Sequence, residues 1–250
     1  MSFFNKKVFT PFITVLLCAL FAVSAFLITY FTVRPNKVVR PSDLYAAAVF
    51  DSIVAEADEI FPLVSLTKQS DMVTWHEDGE RVLLLSWHDN PEVFVAESTV
   101  TLSGELWTFT DREIKDWCDS VVSSVTDWNM RLKQLIGLPP TSAYTHISAF
   151  WVNVSRVIRP AYQTDVTKQV DETCLVNNFL GAYEEWFNNN IVYSYFISDY
   201  PWTRLGYTYD WADDGDEYGL TEFLVLAGTE VQVAYTKTTE EFIRHMKSGM

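Results

Sequence analysis

The sequence predicts an α+β chain: an N-terminal transmembrane helix followed by a mainly antiparallel sheet domain with a long packed helix. Three observations predict it. Val8 to Val33 is a run of 26 residues without a charge, and as a helix it would span roughly 39 Å, enough to cross a bilayer. Asp78-Gly79 lies between two segments of strand composition, which is a hairpin signal. Asp111 to Ile136 repeats apolar residues at three- and four-residue spacing.

The chain divides into a short basic N-terminus (1–7), a membrane segment (8–33), a polar linker (34–41) and a domain (42–250). Three readings compete for the membrane segment. A signal peptide cleaved after Ala25 is opposed by the apolar run that continues through Phe31. A lipoprotein signal ending at Cys18 lacks the small residue expected before it. An uncleaved signal anchor fits the length, and Pro11 is tolerated in its first turns. Flanking charges are nearly tied, with Lys6 and Lys7 before the run and Arg34, Lys37 and Arg40 after it. The basic head before an apolar run is how export signals begin, which places the domain outside the cytoplasm.

Within the domain, Ser42 or Asp43 caps a helix expected to run to about Ile60, ended by Pro62. Strands are expected at Met72–Glu77, Glu80–His88, Val93–Thr101 and Glu105–Phe109, joined as an antiparallel meander. Val82-Leu83-Leu84-Leu85 is apolar on both faces, so its strand should be central and covered on both sides. The helix from Asp111 to Ile136 begins with a Thr110/Glu113 capping box and ends at Gly137 before Pro139-Pro140. Ile147–Ser155 reads as a strand, Arg156–Thr167 as irregular and Tyr183–Phe196 as a helix weakened by Asn188-Asn189-Asn190. Arg204–Trp211, Gly219–Ala227 and Glu230–Tyr235 read as a three-stranded antiparallel set. Gly228 forms a turn, and Thr238 with Glu241 caps a last short helix.

With Lys6, Lys7 and Arg34 set aside, 15 basic residues face all 33 acids, a formal charge of −18 on residues 37–250. That balance argues against nucleic acid, whose phosphates need a basic surface. It disfavours adhesion to an anionic lipid surface as well. All nine Trp lie beyond residue 70, a large aromatic load for one core. Cys118 and Cys174 either form a disulfide in an oxidising compartment or are two free thiols.

The densest stretch is Pro201-Trp202-Thr203-Arg204-Leu205-Gly206-Tyr207-Thr208-Tyr209-Asp210-Trp211. Tyr207, Tyr209 and Trp211 share one face of a strand, and Thr208 and Asp210 the other. An aromatic row beside Arg204 and Asp210 either stacks on a sugar or another planar ligand, or faces the core with its polar groups paired inside. On the first reading the ligand-binding candidates are Trp202, Arg204, Tyr207, Tyr209, Asp210 and Arg159. Together with Arg131–Pro140 and Arg159-Pro160-Ala161-Tyr162, this stretch resembles a group of uncharacterised bacterial exported proteins across roughly residues 127–226. That resemblance implies an envelope location and no particular activity.

No catalytic residue is assigned by motif, since G-x-S-x-G, H-E-x-x-H, P-loop and G-x-G-x-x-G patterns are all missing. Asp213–Glu217 fails the EF-hand spacing, because Ala212 and Thr221 stand where ligands are required. His76, His88, His146 and His245 are not at zinc spacing, so no metal and no cofactor is expected. Asp165, Asp210 and Glu222 could make an acid/base pair only if the fold brings two together. The expectation is an inner-membrane, single-pass protein whose periplasmic domain binds a protein, small molecule or saccharide. Its rivals are a carboxylate-dependent hydrolase of envelope polymers and an inhibitor that uses its acidic surface against a basic partner.

Overall fold

Val82, Leu84 and their neighbours Leu83, Leu85 and Trp87 point alternately to two faces of one strand, and both faces are buried. The rest of the domain is arranged around that strand. The computed structural model describes residues 40–175, 181–213 and 217–248. The expected membrane helix at Val8–Val33 lies outside the described residues. Among the described residues, no helix is long and apolar enough to cross a membrane.

In chain order the elements are α1 (Pro41–Asp51), a 3₁₀ turn (Ala57–Glu59), β1 (Arg81–His88), β2 (Thr99–Thr101), β3 (Leu106–Thr110), α2 (Asp111–Val121) and α3 (Trp128–Leu135). They continue with β4 (His146–Asn153), a second 3₁₀ turn (Val154–Arg156), β5 (Val157–Ile158), α4 (Ala182–Phe196), β6 (Tyr207–Tyr209), β7 (Tyr218–Thr221), β8 (Phe223–Val225), β9 (Glu230–Thr238) and α5 (Thr239–Lys247). Seven strands form one antiparallel sheet in the order β2-β9-β4-β1-β3-β8-β5, and β6 pairs with β7 separately. The chain is therefore α+β, with β1 at the centre of the sheet as its two apolar faces require.

One face of β1 carries Leu83, Leu85 and Trp87 into a core closed by Ile114 and Cys118 of α2, Leu132 and Leu135 of α3, and Phe242, Ile243 and Met246 of α5. The other face carries Val82 and Leu84 against Phe150, Val152, Phe223 and Val233, covered by loop residues such as Leu66, Val73 and Val166. A third cluster joins α4, through Phe187, to Trp202, Tyr207 and Tyr162.

Several sequence expectations change. The meander is not formed: β1 is flanked by β4 and β3, and β2 pairs with β9 at the sheet edge. Residues 93–98 make turns instead of strand, with Val93 N–H on Asn90 O and Ser98 N–H on Val95 O, and these carry the chain away from β1. One edge of β1 is paired with β4 over eight residues, and β3 takes the other edge at Leu84 and Leu85. Of the expected first strand, a single bridge between Trp75 and Val82 is present. The first helix stops at Asp51 rather than near Ile60. The expected three-stranded set is dispersed, since β6 leaves the main sheet while β8 and β9 join it at separate places.

The long helix is two helices. Ser124 Oγ donates to Val121 O as α2 ends, and Asp127 accepts from Met130 N–H to start α3 afresh. Thr110 precedes α2 without a side-chain capping bond, and the Glu113 side chain turns away from the helix start. The Glu113 carboxylate accepts from Tyr218 Oη at 2.8 Å and from Thr221 N–H at 3.0 Å. The expected box at Thr238 and Glu241 is present. Gly137 ends α3 at φ +70°, with Leu138 N–H on Lys133 O and Gly137 N–H on Gln134 O, the paired bonds of a Schellman turn. Cys118 and Cys174 are both free. Cys118 is buried under the sheet, where burial pushes its thiol up to about 12, and Cys174 is exposed in a loop.

Gly219 in β7 is a test of this packing. A Cβ there would collide with Leu135 O and with Thr208, all within the closed contact between α3 and the β6–β7 pair. Gly219→Ala is expected to cost about 3 kcal/mol in a denaturant titration. Gly104→Ala, with open space around it, should stay within about 0.5 kcal/mol of the parent.

Candidate functional site

A cavity of about 540 Å³ lies where the C-terminal end of β1, the strand β3 and the helix α4 meet. Ser86, Trp87 and His88 come from β1, Glu105 to Phe109 from β3 and the residue before it, and Asn190, Tyr193 and Ser194 from α4. The Ile136–Tyr144 segment forms another wall, and the Schellman turn at Gly137 sets its direction. Tyr200 Oη donates to Ile136 O at 3.1 Å, and its ring lies against Gly137. Tyr45 of α1, Thr208 of β6 and Glu222 complete the lining.

Glu222 is the unusual member. It stands between β7 and β8, where the chain passes from the two-stranded to the seven-stranded sheet, and it is 2 % exposed. Its Oε1 is buried with no hydrogen-bond partner. Burial pushes its carboxyl well above the usual range, opposed more weakly by the Trp202 indole and the Arg159 charge. Asn190 presents a second orphan, because its buried Nδ2 also lacks a partner. Unpaired buried polar groups cost on the order of 1–3 kcal/mol each, so two in one cavity call for an explanation. Glu105, at the exposed side of the same cavity, accepts from Trp186 Nε1 at 3.0 Å.

His88 is settled internally. Its Nδ1 accepts from Asn90 N–H at 3.1 Å, which leaves Nε2 to donate to Ser148 Oγ at 2.8 Å. Burial, with a smaller push from His146, lowers its pKa to about 4. The imidazole is therefore neutral at pH 7 and held as one tautomer.

The six residues singled out from the sequence are brought together, but inside the protein. Trp202, Arg204, Tyr207, Tyr209, Asp210 and Arg159 are all buried, and none lines the cavity. Arg131 of α3 grips Asp210 with two hydrogen bonds, at 2.9 and 2.7 Å. Arg204 sits at φ +61° and donates to Ser52 O and Ile53 O, just past the C-terminus of α1. Arg159 donates to Val64 O and Val166 O, with its Cδ beneath Gly206. Trp202 Nε1 donates to Pro160 O, Tyr207 Oη to Glu59 O, and Tyr209 Oη to Asp51 Oδ2. Asp210 is paired inside the fold, with Arg131, whereas Arg159 and Arg204 are bound through Nη2 to backbone carbonyls and keep buried Nε atoms, and Arg159 its Nη1, without a hydrogen-bond partner. The strand's opposite face reaches the cavity through Thr208.

Sequence reasoning named Glu222 but not Asn190 or the cavity. Two signals were present. Glu222 stands directly before the apolar run Phe223-Leu224-Val225, and Asn190 and Ser194 place two polar groups four apart on the side of α4 that also carries buried Phe187. No family model matches this chain, and no curated protein or solved structure matches it.

A separate acidic group joins Asp51, Glu59 and Glu217, whose carboxylate oxygens lie within 4.8 Å of one another. Burial first, then the charges of Asp51 and Glu59, raises Glu217 to about 6.

Two predictions follow from these contacts. Asp210→Ala leaves the partly buried Arg131 without that carboxylate and should cost about 3 kcal/mol, seen as a fall of roughly 10 °C in melting temperature. Arg204→Ala should also lower it by several degrees; near-native melting in both variants would contradict the internal clamp. The second concerns Glu217. Its folded-state pKa is raised, so the native state binds the proton more tightly than the unfolded chain, and this favours folding at low pH. That advantage is lost as pH rises from about 4.5 through about 6. Glu217→Gln should therefore be the more stable form at pH 7, by on the order of 1 kcal/mol after solvent screening. Melting curves of the two proteins should converge near pH 4.5.

Proposed function

We propose that this chain is a membrane-anchored binding protein whose domain holds an uncharged ligand in the β1–β3–α4 cavity. The observation that carries this reading is the pair of orphaned groups, Glu222 Oε1 and Asn190 Nδ2, buried in the lining of one cavity. Its volume falls in the range of small-molecule sites, about 300–1,000 Å³. Its walls are largely aromatic and aliphatic, with Trp87, Trp107, Phe109 and Tyr144 among them. Val8–Val33 supplies the anchor, and the basic residues before it favour a domain outside the cytoplasm. The ligand is placed in the cavity rather than at Trp202, Arg204, Tyr207, Tyr209 and Asp210, which are buried and do not line it.

A second reading is acid-assisted hydrolysis, favoured by Glu105 and Glu222 lining the same cavity. Glu222, whose burial favours the protonated form, has the character of a general acid, and the exposed Glu105 that of its partner.

Saturation-transfer NMR on the full-length protein in detergent separates these readings. Benzyl alcohol and benzamide serve as uncharged probes. Transfer is expected with the parent protein and is expected to vanish in Thr141→Trp, at the exposed edge of the cavity, and in Ser194→Trp, inside it. Glu222→Gln mimics the neutral acid and should keep probe affinity within about threefold, less than 1 kcal/mol. Transfer unchanged by either tryptophan would refute the cavity as the site. Hydrolysis of an aryl glycoside by the parent and its loss in Glu222→Gln would establish the second reading.

A further inference from the structure

The exposed apolar side chains of the domain are unevenly placed. Ten large hydrophobic side chains are exposed among the described residues, and seven lie in two stretches: Phe50, Ile53 and Val54 at the end of α1, and Val192, Tyr193, Phe196 and Ile197 at the end of α4. Phe50 is 79 % exposed and Phe196 76 %. The two stretches are fastened to each other. Tyr195 Oη donates to Ser52 O at 2.8 Å, and Tyr45 Oη donates to Asp199 O at 2.6 Å. Concentrated exposed apolar surface of this kind marks a contact site rather than ordinary scatter.

This surface borders the cavity. Tyr193 belongs to both, being exposed and part of the lining, and Ser194, Ser198 and Tyr45 line the cavity from the same two stretches. The chain also limits what can cover the surface. The uncharged run ends at Val33 and α1 begins at Pro41. The connecting residues, fully extended, reach at most about 25 Å. On the proposed reading that the run spans a membrane, α1 is tethered within that distance of the lipid.

The cavity itself selects by charge. None of its lining residues is Lys or Arg. An anionic head beside Glu222 would meet the carboxyl groups of Glu222 and Glu105 and no cation of the lining, since Arg159, whose charge reaches Glu222, stands outside it, and burying it there would cost several kcal/mol. The orphaned Asn190 Nδ2 can donate, and the orphaned Glu222 Oε1 is free to make one hydrogen bond. These suit a hydroxyl or carbonyl group.

We infer that the α1–α4 face rests on the bilayer and that the cavity takes a neutral amphiphile from it, a molecule with a hydroxyl or carbonyl head seated at Asn190 and Glu222 and an apolar body leaving past Tyr193. This rests on the anchored binding reading above and adds the source and class of the ligand.

The test uses the full-length chain in phosphatidylcholine vesicles containing a trace of a photoactivatable long-chain diazirine probe, either the alcohol or the corresponding fatty acid. After irradiation near neutral pH, labelled peptides are mapped by mass spectrometry. The alcohol is expected on residues 50–54 and 192–197, and also inside the cavity on residues 105–109. The acid is expected on the outer face, with cavity labelling lower by at least about tenfold. Ser194→Trp should remove labelling of residues 105–109 while sparing residues 50–54, and Thr141→Trp repeats the test should the first variant not fold. Labelling confined to residues 8–33, labelling of the outer face without the cavity, or equal cavity labelling by alcohol and acid would each overturn the inference. If benzyl alcohol still binds in the cavity under those outcomes, the binding reading survives and only the membrane source fails. If it does not, both fail.

Discussion

The Arg131–Asp210 pair is the contact on which the arrangement of this domain depends. It ties α3, which packs under the large sheet, to β6, which belongs to the small one. The guanidinium and the carboxylate meet through two parallel bonds, a geometry that holds direction as well as distance. Around it the backbone follows. Trp211 N–H donates to Gln134 O, Trp211 Nε1 to Leu138 O, and Thr208 Oγ1 to Leu135 O. The α3 C-terminus and the following turn are thereby sewn to the 201–211 segment. The same segment reaches α1 through Arg204 and the 159–162 segment through Trp202 and Arg204. Three stretches that stand apart in sequence are packed as one buried unit.

That unit has a consequence for the cavity. Because α3 and β6 are locked together, the Ile136–Tyr144 segment is directed across the open end of β1 and β3 instead of filling it. On the far side, α4 is held by Tyr195, whose hydroxyl lies between Ser52 O and Trp202 O and has its one proton to share between them. The space between is bounded by elements whose positions are set elsewhere. This is how orphaned groups such as Glu222 Oε1 persist: the packing that surrounds them is over-determined by other contacts. Arg204 shows the same logic in the backbone, since a non-glycine residue at φ +61° is held where its Nη2 donates to Ser52 O and Ile53 O and its carbonyl accepts from Tyr162 N–H.

Much of the local structure was legible. The two-sided apolar character of Val82–Leu85 placed β1 in the centre, Gly137 marked the end of a helix, and Thr238 with Glu241 marked the start of another. Local rules failed where a distant partner offered more. Glu113 has the spacing of a capping residue, yet three bonds to Tyr218 and Thr221 outweigh one to the helix start. Asp78-Gly79 does turn the chain, with Gly79 N–H on His76 O, but the strand expected before it is cut to a short bridge at Trp75, because β3 takes that edge of β1 from Leu84 onward. The Asp111–Ile136 periodicity ran through a break that Ser124 and Asp127 make by hydrogen bonds invisible to a count of apolar positions.

The sequence by itself determined the class of the domain, its central strand, its acidic balance and the charged run boundaries that define Val8–Val33. These are properties of composition and of periodicity along the chain, where side-chain direction follows from the backbone repeat alone. The tertiary structure decided what the conspicuous residues do. The Trp202–Asp210 row has the chemistry of a binding surface, and only the contacts with Arg131, Ser52 and Pro160 turn it inward. Glu222 and Asn190 are unremarkable among many acids and amides until the fold buries both in one cavity without partners. Whether a polar group is spent on the protein or left for a ligand depends on what lies opposite it, and that is set by residues far away in the chain.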